Sequence, residues 1–570
     1  MSAPAATATT ASTRPGLFPE QLVGSTSRAL VAASLALCVL VGLGLRAYQL
    51  GAESLSEDEL NKVRAVAEYR EHGLTPANGE HPFLMKALLT VSISAAEAWN
   101  STSLAQDNPS RQISTEAAAR LPGALLGALT AVLLFLVAAE LFGVEVGLIA
   151  AALWALDPAA VGFNRIAKED SFLVFFFLLA NVFWLRGQRV AEEGKARPEP
   201  FYWAAAASFG AMMASKYVPH FFAISAAYYY IFQGERRTRW RLGKRKWLAF
   251  FAIAGAAFLV CNPTILLPGT WHEMRVFAGE KRIGHDAYEF MGALYRNQMT
   301  LWLQGSPWYF YYVFMGAKLT LPVVAGFAFG LPLLFTKRLG DGRHFVLFWL
   351  FFWFFPFTFM GGKFTRYFTF VLPAVLLTTA IGVRAAAQLL ARALARRGAA
   401  RPLKVYARAA AALAVLSFSA YASVSTAPHY RLYTNALGGG RAAAGTYFPH
   451  DEFYDASTRE TAAAVARLAP AGAAVASETP ELFAYYARLA GRADLRSVSL
   501  SDREALRTFG AGDAVVVARG RRYFSNDEVI SGLRREVSPS ADITLGETPS
   551  ARVYVLDARS LKVVLDAAAR

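Results

Sequence analysis

The chain has 570 residues, 55% of them hydrophobic and 18% charged, with a net charge of +16. That balance excludes a soluble enzyme of this length and points to a polytopic membrane protein. The Lys and Arg residues sit in short blocks between apolar runs, which suits membrane orientation and anionic headgroups and excludes nucleic acid as the partner.

Residues 1–28 are rich in Ala, Thr, Ser and Pro and read as a disordered cytoplasmic tail. An apolar run follows at 29–45, and a polar tail this long before it favours an uncleaved first span over a signal peptide. Further runs lie near 119–142, 145–162, 171–186, 201–215, 217–233, 247–267, 309–335, 344–361, 367–389 and 405–425. Several approach the roughly 20 residues a helix needs to cross a bilayer, and together they predict about eleven spans. With a cytoplasmic N-terminus, basic blocks fall on the inner side at Arg186–Arg197, Arg236–Lys246, Lys337–Arg343 and Arg392–Lys404. The outer side then receives the loop 51–118, the segment 157–170, the loop 268–306 and everything after the last span. Residues 84–99 form a weaker helical pattern behind Pro82 and end in Glu97, which favours a helix lying on the membrane surface.

Composition changes near residue 430. Short strands at 473–476, 495–500, 513–518, 543–545 and 553–556 alternate with helical patterns near 457–468, 480–490 and 525–536, which predicts an extracytoplasmic α/β domain over 430–570. The transmembrane part then spans 29–429. No Gly-rich fingerprint follows a strand, so no nucleotide site is expected there. Cys38 and Cys261 both lie in apolar runs, without disulfide or metal spacing.

Candidate chemistry gathers on the outer side. Asp58 and Glu59 follow the first span directly, and adjacent carboxylates so close to lipid need a reason to be there. Transfer of a sugar from a lipid phosphate needs a base for the acceptor hydroxyl and cations for the charge developing on the phosphate. Neighbours on a short segment point apart, so one of the pair faces the site, and we assign that place to Asp58. Cations on the same side are Lys86, Arg165, Lys168, Lys363 and Arg366, beside Asp170 and Tyr367. Lys363 and Arg366 stand on the wrong side for topology signals, which favours a role at lipid phosphate over orientation; snorkelling at helix ends is the plainer alternative. Glu80, His81 and His285 could touch substrate or a divalent metal, but their spacing is not that of a metal motif, so the cofactor stays unknown. Tyr447, His450, Asp451 and Tyr454 just past the last span either line an acceptor entrance or form a polar linker.

The order of these motifs resembles the protein O-mannosyltransferase/aminoarabinose transferase group, membrane glycosyltransferases of the GT-C type. The motifs are Asp58-Glu59, Glu80-His81-Pro82 with Lys86, Arg165 with Asp170, Gly284-His285 with Pro307-Trp308-Tyr309, and Lys363 with Arg366-Tyr367. The resemblance covers residues 29 to about 455. It implies a polyprenyl-phosphate sugar donor, a lipid, glycan or protein acceptor approached from outside the cytoplasm, and inversion at the anomeric carbon. It further implies Asp58 as base, Lys86 and Arg366 near the donor phosphate, and Asp170 as a second acidic group. The Ala- and Arg-rich composition points to a bacterial source, and so to an inner-membrane location. Two other classes compete: a secondary transporter, disfavoured because the charges gather at one face and no repeat is evident, and a non-catalytic scaffold with an exported binding domain.

Overall fold

The computed structural model describes residues 28–194, 196–236, 238, 240–279, 286–397 and 401–569. His285 and the tail before Arg28 lie outside the described residues.

Every apolar run is helical. The helices are Arg28–Ala47, Thr115–Phe142, Val144–Leu156, Pro158–Asn164, Glu169–Glu193, Glu199–Ser215, Phe222–Arg236, Lys244–Cys261, Phe310–Lys318, Leu321–Leu333, Gly342–Phe359, Leu372–Arg396 and Arg401–Thr426. Among the described residues, six helices are both long and apolar enough to cross a bilayer, or up to seven if the bent pair Val144–Leu156 and Pro158–Asn164 is one span. Eleven runs therefore give fewer clear spans than their number. The run at 309–335 divides at Leu319-Thr320, and the run at 145–162 bends by 60°. The second break has a local cause. Pro158 disfavours helix at Asp157, and the Asp157 carboxylate then caps the next helix by accepting the Ala159 and Ala160 N–H groups, both at 3.0 Å.

The helix Glu169–Glu193 is the most enclosed of the apolar helices, and Arg28–Ala47 is among the least. Glu169–Glu193 packs on Glu199–Ser215 and on Thr115–Phe142. Aromatic side chains such as Trp184, Trp349 and Trp353 fill the interior. At the end opposite the site, ion pairs tie helices together: Glu145 takes both Arg384 and Arg408, at 3.4 and 2.8 Å. The helix Phe83–Asn100 is not among the candidate spans and packs on Glu57–His72 and Thr115–Phe142.

The outer segment 287–296 forms a hairpin, β1 (Ala287–Phe290) with β2 (Ala293–Arg296), antiparallel. The C-terminal domain holds β3 (Ala474–Ala476), β4 (Arg496–Val498), β5 (Ala514–Ala518), β6 (Ala541–Leu545) and β7 (Thr548–Val555). Their order is β4-β3-β5-β7-β6, with β3 parallel to both β4 and β5 and the β5–β7 and β6–β7 pairs antiparallel. Helices Thr458–Leu468, Pro480–Leu489 and Asp527–Glu536 stand where the periodicity predicted them, and a further helix, Ala558–Ala569, closes the chain.

This domain is seated on the loop before the helix Glu57–His72. Leu55 and Leu60 join a buried cluster with Val465, Leu482, Phe483 and Tyr486. The Leu55 N–H donates to the Tyr486 hydroxyl at 2.6 Å, and that hydroxyl donates to Glu116 at 2.9 Å. A buried apolar contact with paired polar groups of this kind fixes how the two parts meet.

Candidate active site

Asp58 and Glu59 open a helix whose start is built locally. The Ser56 hydroxyl accepts the Glu59 N–H at 3.3 Å, and the Glu59 carboxylate accepts the Ser56 N–H at 2.8 Å. This reciprocal cap turns Glu59 inward. There its two oxygens meet Arg120 Nε and Nη2, both at 2.8 Å, and one also accepts the Ala167 N–H at 2.8 Å. Glu59 is 1% exposed and has no place in a cavity. Its neighbour points the other way, as adjacent helical residues must.

Asp58 faces a cavity of about 640 Å³. Its Oδ2 is 2.6 Å from Lys168 Nζ, 2.6 Å from the Tyr454 hydroxyl and 3.9 Å from Arg366 Nη2. The side chain keeps 37% of its surface open because the cavity, not packed protein, lies over it. Burial works against the Asp58 charge, but Lys168, Arg366 and Lys62 outweigh it and hold the carboxyl well below the usual carboxylate range. For Lys168 the order is reversed: burial, with repulsion from Lys62 and Arg366, overcomes the attraction of Asp58 and pushes the ammonium down to about 8. Burial also drives Tyr454 well above the normal phenol value, with Asp58 adding to it, so the hydroxyl stays a donor.

Around this centre stand further charges. Lys62, one turn on from Asp58, sits 3.1 Å from Glu169. His81 Nδ1 is 3.5 Å from the same Glu169 oxygen, and burial pushes the imidazole down to about 3, so it is neutral near pH 7. Asp170 pairs with Lys216 at 2.6 Å. Lys216 also lies 4.8 Å over the Tyr367 ring. Arg366 stacks on Phe364, 4.3 Å from its ring centre, and reaches Asp451 at 3.7 Å. Glu80 lines the cavity and accepts Asn78 Nδ2 at 2.6 Å. Much of the remaining lining is apolar, with Leu173, Phe221, Phe277, Trp353, Phe357 and Phe370, beside polar groups such as His220, Asn297 and His450. A cavity that combines charged and apolar lining fits an amphiphile with an anionic head.

Of the residues expected at the site, the cavity wall therefore brings together Asp58, Glu80, His81, Lys168, Asp170, Arg366 and Tyr367, and from the segment past the last span His450 and Tyr454 but not Tyr447 or Asp451. Glu59, Lys86, Arg165 and Lys363 are held behind it. Lys86 donates to the Ala77, Asn78 and His81 carbonyls at 3.2, 2.6 and 3.0 Å, so its three protons are occupied by backbone and it does not line the cavity. Arg165 clamps the carbonyls of Arg46, Tyr48 and Gln49 at 2.7, 2.7 and 3.0 Å. Lys363 binds the Ser306 carbonyl at 2.8 Å and that of Met360. The glycines before it permit this: a Cβ on Gly361 would come within 2.2 Å of the Gln304 carbonyl. Loops without a hydrogen-bonding ladder need donors for their carbonyls, and these buried cations supply them.

Lys62, Glu169, Lys216 and Arg521 line or support the site and were not anticipated. Lys62 has a signal, being four residues after Asp58 on one helix face. Lys216 has one too, lying between two apolar runs on the predicted outer side, where Lys363 had drawn notice for the same reason. Among the described residues no group of three His, Cys, Asp or Glu side chains is arranged to hold a metal ion.

The chain is thus an integral membrane protein whose helices and C-terminal α/β domain enclose, among the described residues, a large cavity of mixed charged and apolar lining. Residues 112–266 match the family model described as dolichyl-phosphate-mannose-protein mannosyltransferase. The chain is similar to this group of membrane glycosyltransferases, as the order of its motifs leads one to expect. No sequence among the curated proteins matches it. Among solved structures it is similar to ArnT from Cupriavidus metallidurans bound to undecaprenyl phosphate, with 14% identity, 93% of this chain and 98% of that chain covered, and a TM-score of 0.47. It is also similar to the Archaeoglobus fulgidus oligosaccharyltransferase in the apo form, with 12% identity, 87% and 70% covered, and a TM-score of 0.49. The Saccharomyces cerevisiae Pmt1-Pmt2 complex bound to the sugar donor is more distant, at 17% identity, 47% and 37% covered, with a TM-score of 0.32. Likeness at this level carries no information on sugar or acceptor.

Proposed function

We propose that this protein is an inverting glycosyltransferase that moves a hexosyl or pentosyl group from a polyprenyl-phosphate donor to an acceptor hydroxyl on a lipid, glycan or protein. The observation that carries this is the contact of Asp58 with Lys168, close to Arg366, inside a cavity that is also lined by apolar side chains. The donor's phosphate takes its charge balance from Lys168 and Arg366, with Lys216 close by, and the first prenyl units lie along Phe221, Trp353 and Phe370. The acceptor oxygen attacks the anomeric carbon as the carbon–oxygen bond to phosphate breaks, and the hydroxyl proton passes to Asp58. A carboxylate held so far below the usual range is a weak base in the free enzyme. When a phosphate takes a share of Lys168 and Arg366, the carboxylate loses part of that stabilisation and becomes more basic, so donor binding itself prepares the base.

Location follows the same reading. All the cavity charges named above stand at the predicted outer ends of their helices, which supports an extracytoplasmic site, and the composition favours a bacterial inner membrane. We take residues 29–429 as the membrane part and 430–570 as the extracytoplasmic domain. The test is mass spectrometry of envelope lipids, glycans and proteins with and without the gene, complemented by wild-type or Asp58→Asn protein. Loss of a single hexose or pentose that the wild type restores and Asp58→Asn does not is the expected result. An unchanged envelope, together with no binding of undecaprenyl phosphate by the purified chain, overturns the proposal.

A further inference from the structure

Tyr454 and Asp455 are consecutive residues in left-handed backbone, with φ of 46° and 61°. Asp tolerates that region, but a bulky aromatic there is a genuine outlier and persists only where surrounding contacts over-determine it. Those contacts are specific. The Tyr454 hydroxyl donates to Asp58 Oδ2 at 2.6 Å. Asp455 Oδ2 accepts the N–H of Glu57, the first residue of the helix carrying Asp58, at 3.1 Å. Both Asp455 oxygens also take Arg521, Nε at 2.7 Å and Nη2 closer still. Arg521 Nη1 then reaches Glu57 Oε2 at 3.3 Å.

Arg521 comes from the C-terminal domain, three residues past the end of β5. Its own carbonyl accepts Asn526 Nδ2 at 3.0 Å, and that amide also donates to Glu478, just past β3, at 2.9 Å. The latch thus stands at the carboxyl ends of two adjacent parallel strands, the edge where open α/β sheets place functional groups.

We propose that Tyr454 is a positioning residue for Asp58, and that the C-terminal domain sets it in place through the Asp455–Arg521 latch, making that domain part of the site. The proposal rests on the reading of Asp58 as the site carboxylate. The groups facing Asp58 are Lys168 from the segment before Glu169–Glu193, Arg366 from the turn after Gly342–Phe359, Lys62 on its own helix, and Tyr454. Three are cations that fix its charge. Only the phenol adds a direction without adding charge, leaving the second oxygen, Oδ1, clear of that bond.

The test uses the full chain in lipid nanodiscs with ¹³C-labelled aspartate and reads the infrared carboxylate band that disappears in Asp58→Asn. Tyr454→Phe removes one hydroxyl and keeps the ring. Asp455→Asn keeps a residue that tolerates left-handed backbone and removes the charge that holds Arg521. Both variants should move the Asp58 band in the same direction; Tyr454→Phe should do so with the melting temperature within a few degrees of wild type, whereas Asp455→Asn, which leaves Arg521 with Glu57 as its remaining carboxylate, should also lower it. With undecaprenyl-phosphate hexoses as donor probes, both should lower kcat and leave KM for donor unchanged. A band that stays put in both variants overturns the proposal whatever turnover does. A moved band with no transfer by the wild type from any probe supports the positioning role and sinks the glycosyltransferase reading instead.

Discussion

Lys168 Nζ lies 2.6 Å from Asp58 Oδ2, yet burial, which works against both charges, prevails only at the lysine. Asp58 has three cations near it and is held firmly ionised. Lys168 has one carboxylate in contact and two cations crowding it, and its charge is held weakly. The pair is therefore built to be opened from the lysine side. On the proposed function, a phosphate entering the cavity would add negative charge where Lys168 lacks it and take from Asp58 a partner that it can lose.

The first prediction concerns the carboxylate. Asp58→Asn should lower turnover by roughly 10²–10⁴, the range a positioned general base contributes. Undecaprenyl phosphate should bind at least as tightly as to wild type, because the variant frees Lys168 and Arg366 from their competitor. Calorimetric titration on the purified chain decides this. Weaker phosphate binding in Asp58→Asn would mean that the carboxylate organises the cations and does not compete for them.

The second prediction uses the lysine. Its folded value of about 8 means the ammonium is charged below that pH and neutral above it. A phosphate monoester is already largely dianionic there, its second ionisation lying near about 6. Affinity for undecaprenyl phosphate should therefore fall as pH rises through about 8, because Lys168 loses its charge. Lys168→Arg keeps its charge over the whole range and should flatten that limb. Lys363, also pushed down to about 8 by burial, is turned to carbonyls, so Lys363→Arg should leave the limb as it was.

How far the sequence reveals this arrangement differs from residue to residue. The carboxylate pair after the first apolar run was legible, and so was the rule that its two members point apart. Which one faces the cavity follows from Ser56 and the reciprocal cap, readable in Ser-x-x-Glu. Most strands and helices of the C-terminal domain were legible from period alone, apart from the start of β7, the short helices Pro449–Phe453 and Arg503–Leu506, and the last helix. The cations were not sortable. Lys86, Arg165 and Lys363 share with Lys168 and Arg366 an outer helix end, and sequence does not say whether an ammonium meets a loop carbonyl or a cavity. The hairpin β1–β2 escaped because its turn, Met291-Gly292, has φ of 53° and 82°, and Met is not a residue that announces such a turn. Arg521 carried no signal, since only the docking of the terminal domain brings it to Glu57.

Glu59 supplies a third prediction by contrast with its neighbour. It is buried with Arg120 in a two-pronged pair and also accepts the N–H groups of Ser56 and Ala167. Removing one member of a buried pair leaves the other charge uncompensated, at about 3–5 kcal/mol. Glu59→Ala should therefore lower the melting temperature in detergent markedly, and more than Asp58→Ala, whose partners Lys168 and Arg366 face the cavity. Burial opposes the Glu59 charge, but Arg120 and the two N–H groups win and hold its carboxyl below the usual range. Its folded value is thus the lower one. The stability it contributes is present above its unfolded value, near about 4.3, and is lost as pH falls through the folded value. Equal destabilisation by Asp58→Ala and Glu59→Ala would contradict this division of labour.

The last prediction separates two cations that stand three residues apart. Lys363 is 1% exposed and fully engaged with the Ser306 and Met360 carbonyls, joining the loop before Pro307 to the turn after Gly342–Phe359. Arg366 lines the cavity, stacks on Phe364 and stands 3.9 Å from Asp58. Arg366→Ala should weaken undecaprenyl phosphate binding by at least about tenfold, the order of one charge-assisted hydrogen bond at about 1.5–3 kcal/mol. Lys363→Ala should leave the Ser306 and Met360 carbonyls without this donor, lower the melting temperature, and change phosphate affinity by less than about threefold once the protein is folded. Arg366→Lys keeps the charge and loses the flat stacking surface, so it should recover only part of the affinity. Measured side by side in nanodiscs, the three variants distinguish a cation that meets the ligand from one that holds the wall in place. If Lys363→Ala instead matched Arg366→Ala in affinity at full stability, the ammonium would have to leave its carbonyls for the cavity when donor binds.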